Sequence, residues 1–252
     1  MSQRLFTIYL VLSVFFIYAF VFKNEKKEDY SIPSTDKNDL VICHTGYCLS
    51  YSVNFKLAKW VAYELTLAET QGTFARNDKF KPDPLITRNS ASLADYKKSG
   101  YDRGHLAPAA DMKWSADAMR ESFYLSNMSP QDKSFNRGIW KKLEEQVRNW
   151  AIENKTVYIT TGPILEKGLP TIGPNQIPIP KAFYKVVLDY SQPDIKAIGF
   201  IIPNQGSSLP LSNYTIPIDD IEKRTHIDFF SKLPDEIENR IEQTVCNQCW
   251  GL

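Results

Sequence analysis

Any fold for this chain must first accommodate Tyr101-Asp102-Arg103-Gly104-His105-Leu106-Ala107-Pro108, where an acid, a guanidinium, a glycine and an imidazole stand in succession. The chain has three histidines, and His105 is the one flanked by other ionisable groups. Imidazole exchanges a proton near neutral pH, so His105 is a candidate general base. Arg103 carries a permanent charge shaped for phosphate. Gly104 is read as permitting a backbone conformation that a β-carbon forbids. A turn histidine beside an Asp102-Arg103 surface ion pair explains the same four residues equally well, so the downstream stretches of the chain decide between the two.

The clearest helical pattern is Phe135 to Asn154, where Ile139, Leu143, Val147, Trp150 and Ala151 recur at helical spacing and mark one apolar face. Asn136 opens it, a position where asparagine commonly caps a helix. Glu144 lies eight positions later, about 80° round a regular helix and ~12 Å along it. The two side chains share a side but stand too far apart to chelate one ion directly, which suits Glu144 to an indirect hold through the ion's hydration water. A solvated helix carboxylate is the plainer alternative.

These stretches, together with Ser122-Phe123-Tyr124-Leu125-Ser126-Asn127-Met128-Ser129-Pro130-Gln131, resemble the DNA/RNA non-specific endonucleases of the ββα-metal, or His-Me finger, class that includes endonuclease G. Arg76 with Phe80 and Asp83 upstream, and Ile216 to Pro234 downstream, extend the resemblance over roughly residues 40 to 240. The resemblance implies an α+β fold, a mixed or antiparallel sheet with flanking helices, and weakly sequence-selective hydrolysis of DNA or RNA. It implies that Asn136 ligates the metal, that Arg76 contacts phosphate, and that Asn127 supports the site by hydrogen bonding. Arg137 stands where the family often has a neutral amide, and is expected to add positive charge beside the metal.

The chemistry of phosphodiester cleavage fits the same residues. His105 generates the nucleophile from water, Mg²⁺ or Mn²⁺ neutralises the phosphoryl oxygens, Arg103 and Arg76 hold the phosphate, and Asp102 orients its neighbours or pairs with Arg103. Contacts confined to phosphate carry no base information, so low specificity follows. A net charge of only +1 leaves little long-range field for a polyanion. It argues against a high-affinity binding module and for an enzyme that releases its product. A catalytically silent nucleic-acid binder on the same fold is the competing reading.

At 252 residues with 43% hydrophobic content, the chain suits one good-sized domain. Residues 39–252 are expected to form it, with 24–38 as a tether and 1–23 as an anchor or signal. Leu5 to Phe22 is an uncharged run, ~27 Å long as a helix and matched to a bilayer, and Tyr18 to Phe22 lacks a small-x-small cleavage pattern. The expectation is a membrane-anchored enzyme facing the periplasm or exterior, or a secreted one if that segment is removed. A homodimer and an inhibitor protein are left open as partners. Cys43, Cys48, Cys246 and Cys249 favour two disulfides, with a structural zinc or redox thiols, and hence a zinc- or thiol-dependent envelope protein, as the alternatives.

Several shorter runs have their own periodicity. Trp60 to Leu67 is expected to be a strand with one buried face, and 156–161, 182–190 and 196–203 further strands. Residues 73–84 read as a loop or strand edge, and 90–100 as a short helix or turn. Ser115 to Phe123 is expected to be a short helix on Ala116, Met119 and Phe123, with further helices near 219–224 and 234–244. His44 has no acid or base beside it in sequence and is read as structural.

Overall fold

A computed structural model describes residues 29–35, 37 and 39–252. The expected membrane helix over 5–22 lies outside the described residues. Among the described residues, no helix is long and apolar enough to cross a membrane. Residues 29–35, within the expected tether, pack on the sheet: Ser31 is buried, and the Tyr30 ring meets Tyr158 edge-on at 5.4 Å.

In chain order, β1 (Leu40–Cys43), β2 (Cys48–Ser52) and β3 (Leu57–Thr66) lead to the short helices α1 (Leu67–Thr70) and α2 (Leu93–Tyr96). Then come β4 (Asp102–His105), α3 (Ala116–Glu121), β5 (Met128–Gln131), α4 (Lys133–Phe135) and α5 (Lys141–Asn154). The remainder is β6 (Thr156–Pro163), β7 (Thr171–Ile172), β8 (Ile177–Pro178), β9 (Ala182–Asp189), β10 (Lys196–Pro203), β11 (Thr215–Ile216), α6 (Ile218–Thr225) and α7 (Asp235–Glu242).

One seven-stranded sheet runs β1-β2-β3-β6-β9-β10-β11, and every neighbouring pair in it is antiparallel. Helices cover both of its faces, which changes the reading of β3. Val61, Tyr63 and Leu65 join Leu143, Val147 and Trp150 of α5 in one core. Trp60 and Ala62 join Ile218 and Ile221 of α6 and Ile241 of α7 in the other. The strand buries both faces, not the single one its alternation suggested, because a sheet sandwiched between helices has no wet side.

The pattern Phe135 to Asn154 is a helix with a break in it. Asp132, not Asn136, caps its start, its carboxylate accepting from the Ser134 and Phe135 N–H groups. A wide π-type turn then spans Asn136–Trp140, with Gly138 at φ −109°, ψ −108°, before regular α5 begins. Such turns recur where a helix must re-aim side chains. In α3 the buried residues are Ala118 and Met119, while Ala116 faces solvent. Phe123 is buried just beyond the helix end.

All four cysteines are consumed in two local disulfides, Cys43–Cys48 and Cys246–Cys249. Paired in this way, they leave no free thiolate for a zinc site. The hairpin β4-β5 followed by the helix that carries Asn136 is the ββα-metal unit, laid beside the main sheet.

Candidate active site

His105 ends β4, and three hydrogen bonds fix the chain just after it. Leu106 N–H donates to the Asn127 carbonyl at 3.0 Å, and Ala107 N–H to Asn127 Oδ1 at 2.9 Å. Asn127 Nδ2 donates back to the Ala107 carbonyl at 2.9 Å and to that of Ser122 at 2.8 Å. Asn127 is fully buried and does not line the cleft; its side chain holds the chain just after His105. Gly104 has an ordinary strand conformation, contrary to the reading of a special backbone angle. Its requirement is space: a β-carbon there stands 2.1 Å from the side chain of Gln131, itself fully buried.

Aromatic rings wall the imidazole. Phe123 meets it edge-on at 4.9 Å, Phe80 lies 5.7 Å away, and the two phenyl rings touch each other at 5.0 Å. Each ring also carries a guanidinium, Arg103 over Phe80 at 4.1 Å and Arg76 over Phe123 at 5.0 Å. The stacking holds two exposed cations at the mouth of the site without neutralising them, a weak attraction that adds geometric order. Arg76 also bonds Asp78 at 2.7 Å. Burial, then the Arg76 guanidinium, with Arg103 adding to it and Asp78 opposing, pushes the His105 pKa down to about 3. The ring is neutral at any working pH, and its Nε2 has no hydrogen-bond partner.

Asp102 does not pair with Arg103. It accepts a bidentate bond from Arg137, at 2.8 and 2.9 Å, and a third bond from Asn136 Nδ2 at 3.0 Å. Burial disfavours its charge, but those bonds outweigh burial and hold the carboxyl below its usual range. A carboxylate can only accept, so the Asn136 amide is oriented with Nδ2 toward Asp102 and Oδ1 left for a ligand. The Arg137 charge, expected to add to the site, is largely spent on Asp102.

Glu144, half-buried, lines the same cleft. Burial raises its pKa, opposed by Lys185 and reinforced by Asp111. Lys185 sits fully buried in β9, 4.9 Å over the Trp140 ring, its own pKa lowered by burial. Asp111 behind them accepts from Tyr63 Oη at 2.8 Å and Arg148 at 2.7 Å. This supporting layer of Lys185, Asp111 and Arg148 was not read from the sequence. Its traces are a single lysine inside the apolar run Ala182 to Asp189 and an arginine one turn after Glu144.

Arg76, Arg103, His105, Asn136, Arg137 and Glu144 thus line one open cleft of about 380 Å³, which Lys141 and Arg148 complete. Residues from a loop, a hairpin strand, a π turn and a helix, far apart in the chain, converge there. A basic mouth, a neutral imidazole, a free amide oxygen and a carboxylate with a raised pKa make a site for an anionic ester and a divalent cation.

Comparison with known proteins agrees. Residues 26–236 match the family described as DNA/RNA non-specific endonuclease. Nuclease C1 of Cunninghamella echinulata var. echinulata is 38% identical over 208 residues, 75% of this chain and 81% of that one. Mitochondrial endonuclease G of Homo sapiens is 33% identical over 202 residues, 73% and 67% of the respective chains. The crystal structure of the EndoG/EndoGI complex, which addresses the mechanism of EndoG inhibition, superposes with a TM-score of 0.74 at 32% identity, covering 81% of this chain and 90% of that one.

Proposed function

The chain belongs to the DNA/RNA non-specific endonuclease family and is a nuclease, and from that premise we propose that His105 activates water while Asn136 holds one divalent cation, Mg²⁺ or Mn²⁺, at the scissile phosphate. The observation that carries this reading is the meeting of His105, Asn136 and Glu144 in one cleft behind two arginines. The donor set fits a hard cation. An amide oxygen is left free by Asp102, and the half-buried Glu144 carboxylate nearby has its pKa raised, so a positive charge beside it is favoured. When bound, the cation offsets charge on the phosphoryl and leaving oxygens.

Every other part falls to the chain. Arg103 and Arg76 grip the phosphate from their aromatic perches. His105 takes a proton from water, the water oxygen attacks phosphorus, the bond from phosphorus to the sugar oxygen breaks, and the departing oxygen takes a proton from solvent while His105 later gives its own back to solvent. A pKa near 3 describes a weak base. The anionic phosphate offsets Arg76 and Arg103, two of the smaller causes of that depression, so substrate raises the imidazole's proton affinity while burial, its largest cause, remains. Asp102 keeps the Asn136 oxygen aimed, and Asn127 fixes the strand end that presents His105.

Two disulfides suit an oxidising compartment, which supports an exported or membrane-tethered, outward-facing enzyme. Likeness to a chain solved with its inhibitor supports an inhibitor protein as a partner class. The test is cleavage of supercoiled DNA and of RNA by the purified protein with Mg²⁺ and with EDTA. Cleavage should require the metal and fall at least 10²-fold in His105→Ala with the circular dichroism spectrum unchanged. Undiminished cleavage by that variant removes His105 from the mechanism.

A further inference from the structure

We propose that Asp219, Glu222 and Glu242 form a second cation site, for a hard divalent ion of calcium's size, that ties α6 to α7 across the sheet from the nuclease cleft. One ligand oxygen from each residue lies within 4.8 Å of the other two, the spread that oxygens at 2.3–2.6 Å around a single Ca²⁺ occupy. Three carboxylates suit Ca²⁺ better than Mg²⁺, which keeps most of its water and takes few protein ligands.

Independent support comes from Glu242. Its side chain is only 4% exposed, and its Oε1 has no hydrogen-bond partner. A buried, unpaired carboxylate oxygen costs free energy unless something positive meets it. Among the described residues no lysine or arginine does so. Lys223, the nearest in sequence to Glu222, pairs with Asp220 instead. Glu222 uses one oxygen to accept from Phe229 N–H at 2.7 Å, which fixes its carboxylate and leaves the other oxygen.

The surroundings add more negative charge. Burial disfavours the charged form of the Glu242 carboxyl, and Glu238 and Asp228 add their charges to those of Glu222 and Asp219 around it, to the same effect. Glu242 also falls beyond residue 236, where the family match ends, so the third ligand is supplied by this chain's own C-terminal helix.

The test is thermal unfolding of the full chain, stripped with chelator and then given millimolar Ca²⁺, for four forms. These are the unsubstituted protein, Asn136→Ala, Glu242→Gln and the double variant. Asn136→Ala removes the nuclease-site cation, so a Ca²⁺-dependent rise in Tm of about 5 °C that survives in it belongs elsewhere. The expected result is that rise in Asn136→Ala and none in the double variant, with Glu242→Gln alone showing a smaller rise than the unsubstituted protein. Without Ca²⁺, Glu242→Gln should unfold no earlier than the unsubstituted chain, since it removes a crowded acid. No Ca²⁺ shift in Asn136→Ala, or an equal shift in Asn136→Ala and the double variant, overturns the site. Asp219→Asn, at a half-buried position, replaces Glu242→Gln should the latter not fold. Metal-dependent cleavage by Glu242→Gln should equal that of the unsubstituted protein, so the cation site and the nuclease reading fail separately.

Discussion

Asp102 shows how much one side chain can set. It receives three hydrogen bonds, two from Arg137 and one from Asn136, and the last of these decides which end of the Asn136 amide faces the cleft. Groups that orient a metal ligand typically govern affinity by 10- to 100-fold. Asp102→Ala should therefore raise the Mg²⁺ concentration for half-maximal cleavage by about that factor, with kcat at saturating metal changed less. The measurement is a Mg²⁺ titration of the initial rate, and an unchanged midpoint would show that Asn136 needs no help. Arg137, freed in the same variant, brings its charge back beside the site. That gain works against the loss, and Arg137→Ala measures it separately.

At the scale of elements, the loop 73–84 matters because it carries Arg76 and Phe80 to the cleft from outside the hairpin. Its far end is moored by Asp83. That carboxylate accepts from Ser126 Oγ at 2.6 Å and from Leu85 N–H at 2.9 Å, and bonds His44 Nε2 at 2.9 Å. Burial works against the charge, but these bonds prevail and hold the Asp83 pKa below its ordinary 3.8. His44 is thus structural, as its isolation in sequence suggests, and its partner lies 39 residues away. A depressed carboxyl stabilises the fold above the unfolded value and loses that contribution as pH falls through the folded one. Asp83→Asn should cost about 1–3 kcal/mol at pH 7, and the gap from the unsubstituted protein should close below pH 3.8. Urea unfolding at pH 7 and in acid checks both halves, and a gap independent of pH would mean that the charge is not what counts.

Across the whole molecule, the nuclease cleft and the two disulfides are separate matters. Each disulfide closes a loop of only a few residues, at sequence separations of 5 and 3, so the loop-entropy argument assigns each about 2 kcal/mol. Replacing Cys43 and Cys48 together by serine should lower stability by about that amount while cleavage at 25 °C stays within twofold. A parallel assay in reducing agent should give the same answer, and loss of cleavage in either would tie the hairpin β1-β2 to the active site. The C-terminal disulfide has a different neighbourhood. Trp250 follows it, is buried, and its carbonyl accepts from Trp150 Nε1 at 2.9 Å, which fastens the chain end to α5.

Local chemistry made much of this readable from the residues alone. His105 and Arg103 stand out because a proton acceptor and a fixed cation beside each other suit work on phosphate, whereas Asn136 and Arg76 are singled out only by the family resemblance; α5 is legible because Leu143, Val147, Trp150 and Ala151 repeat at helical spacing on the face that is in fact buried. What required the folded chain were relations between distant residues. Only packing on both sides of the sheet could show that β3 has no exposed face, that Asp102 answers to Arg137 and not to adjacent Arg103, or that Lys185 stands buried behind Glu144. Spacing along a chain specifies the neighbours on one helix or strand. Charge pairing, desolvation and the shape of a cleft depend on distances through space, and those are set when separate elements close on one another.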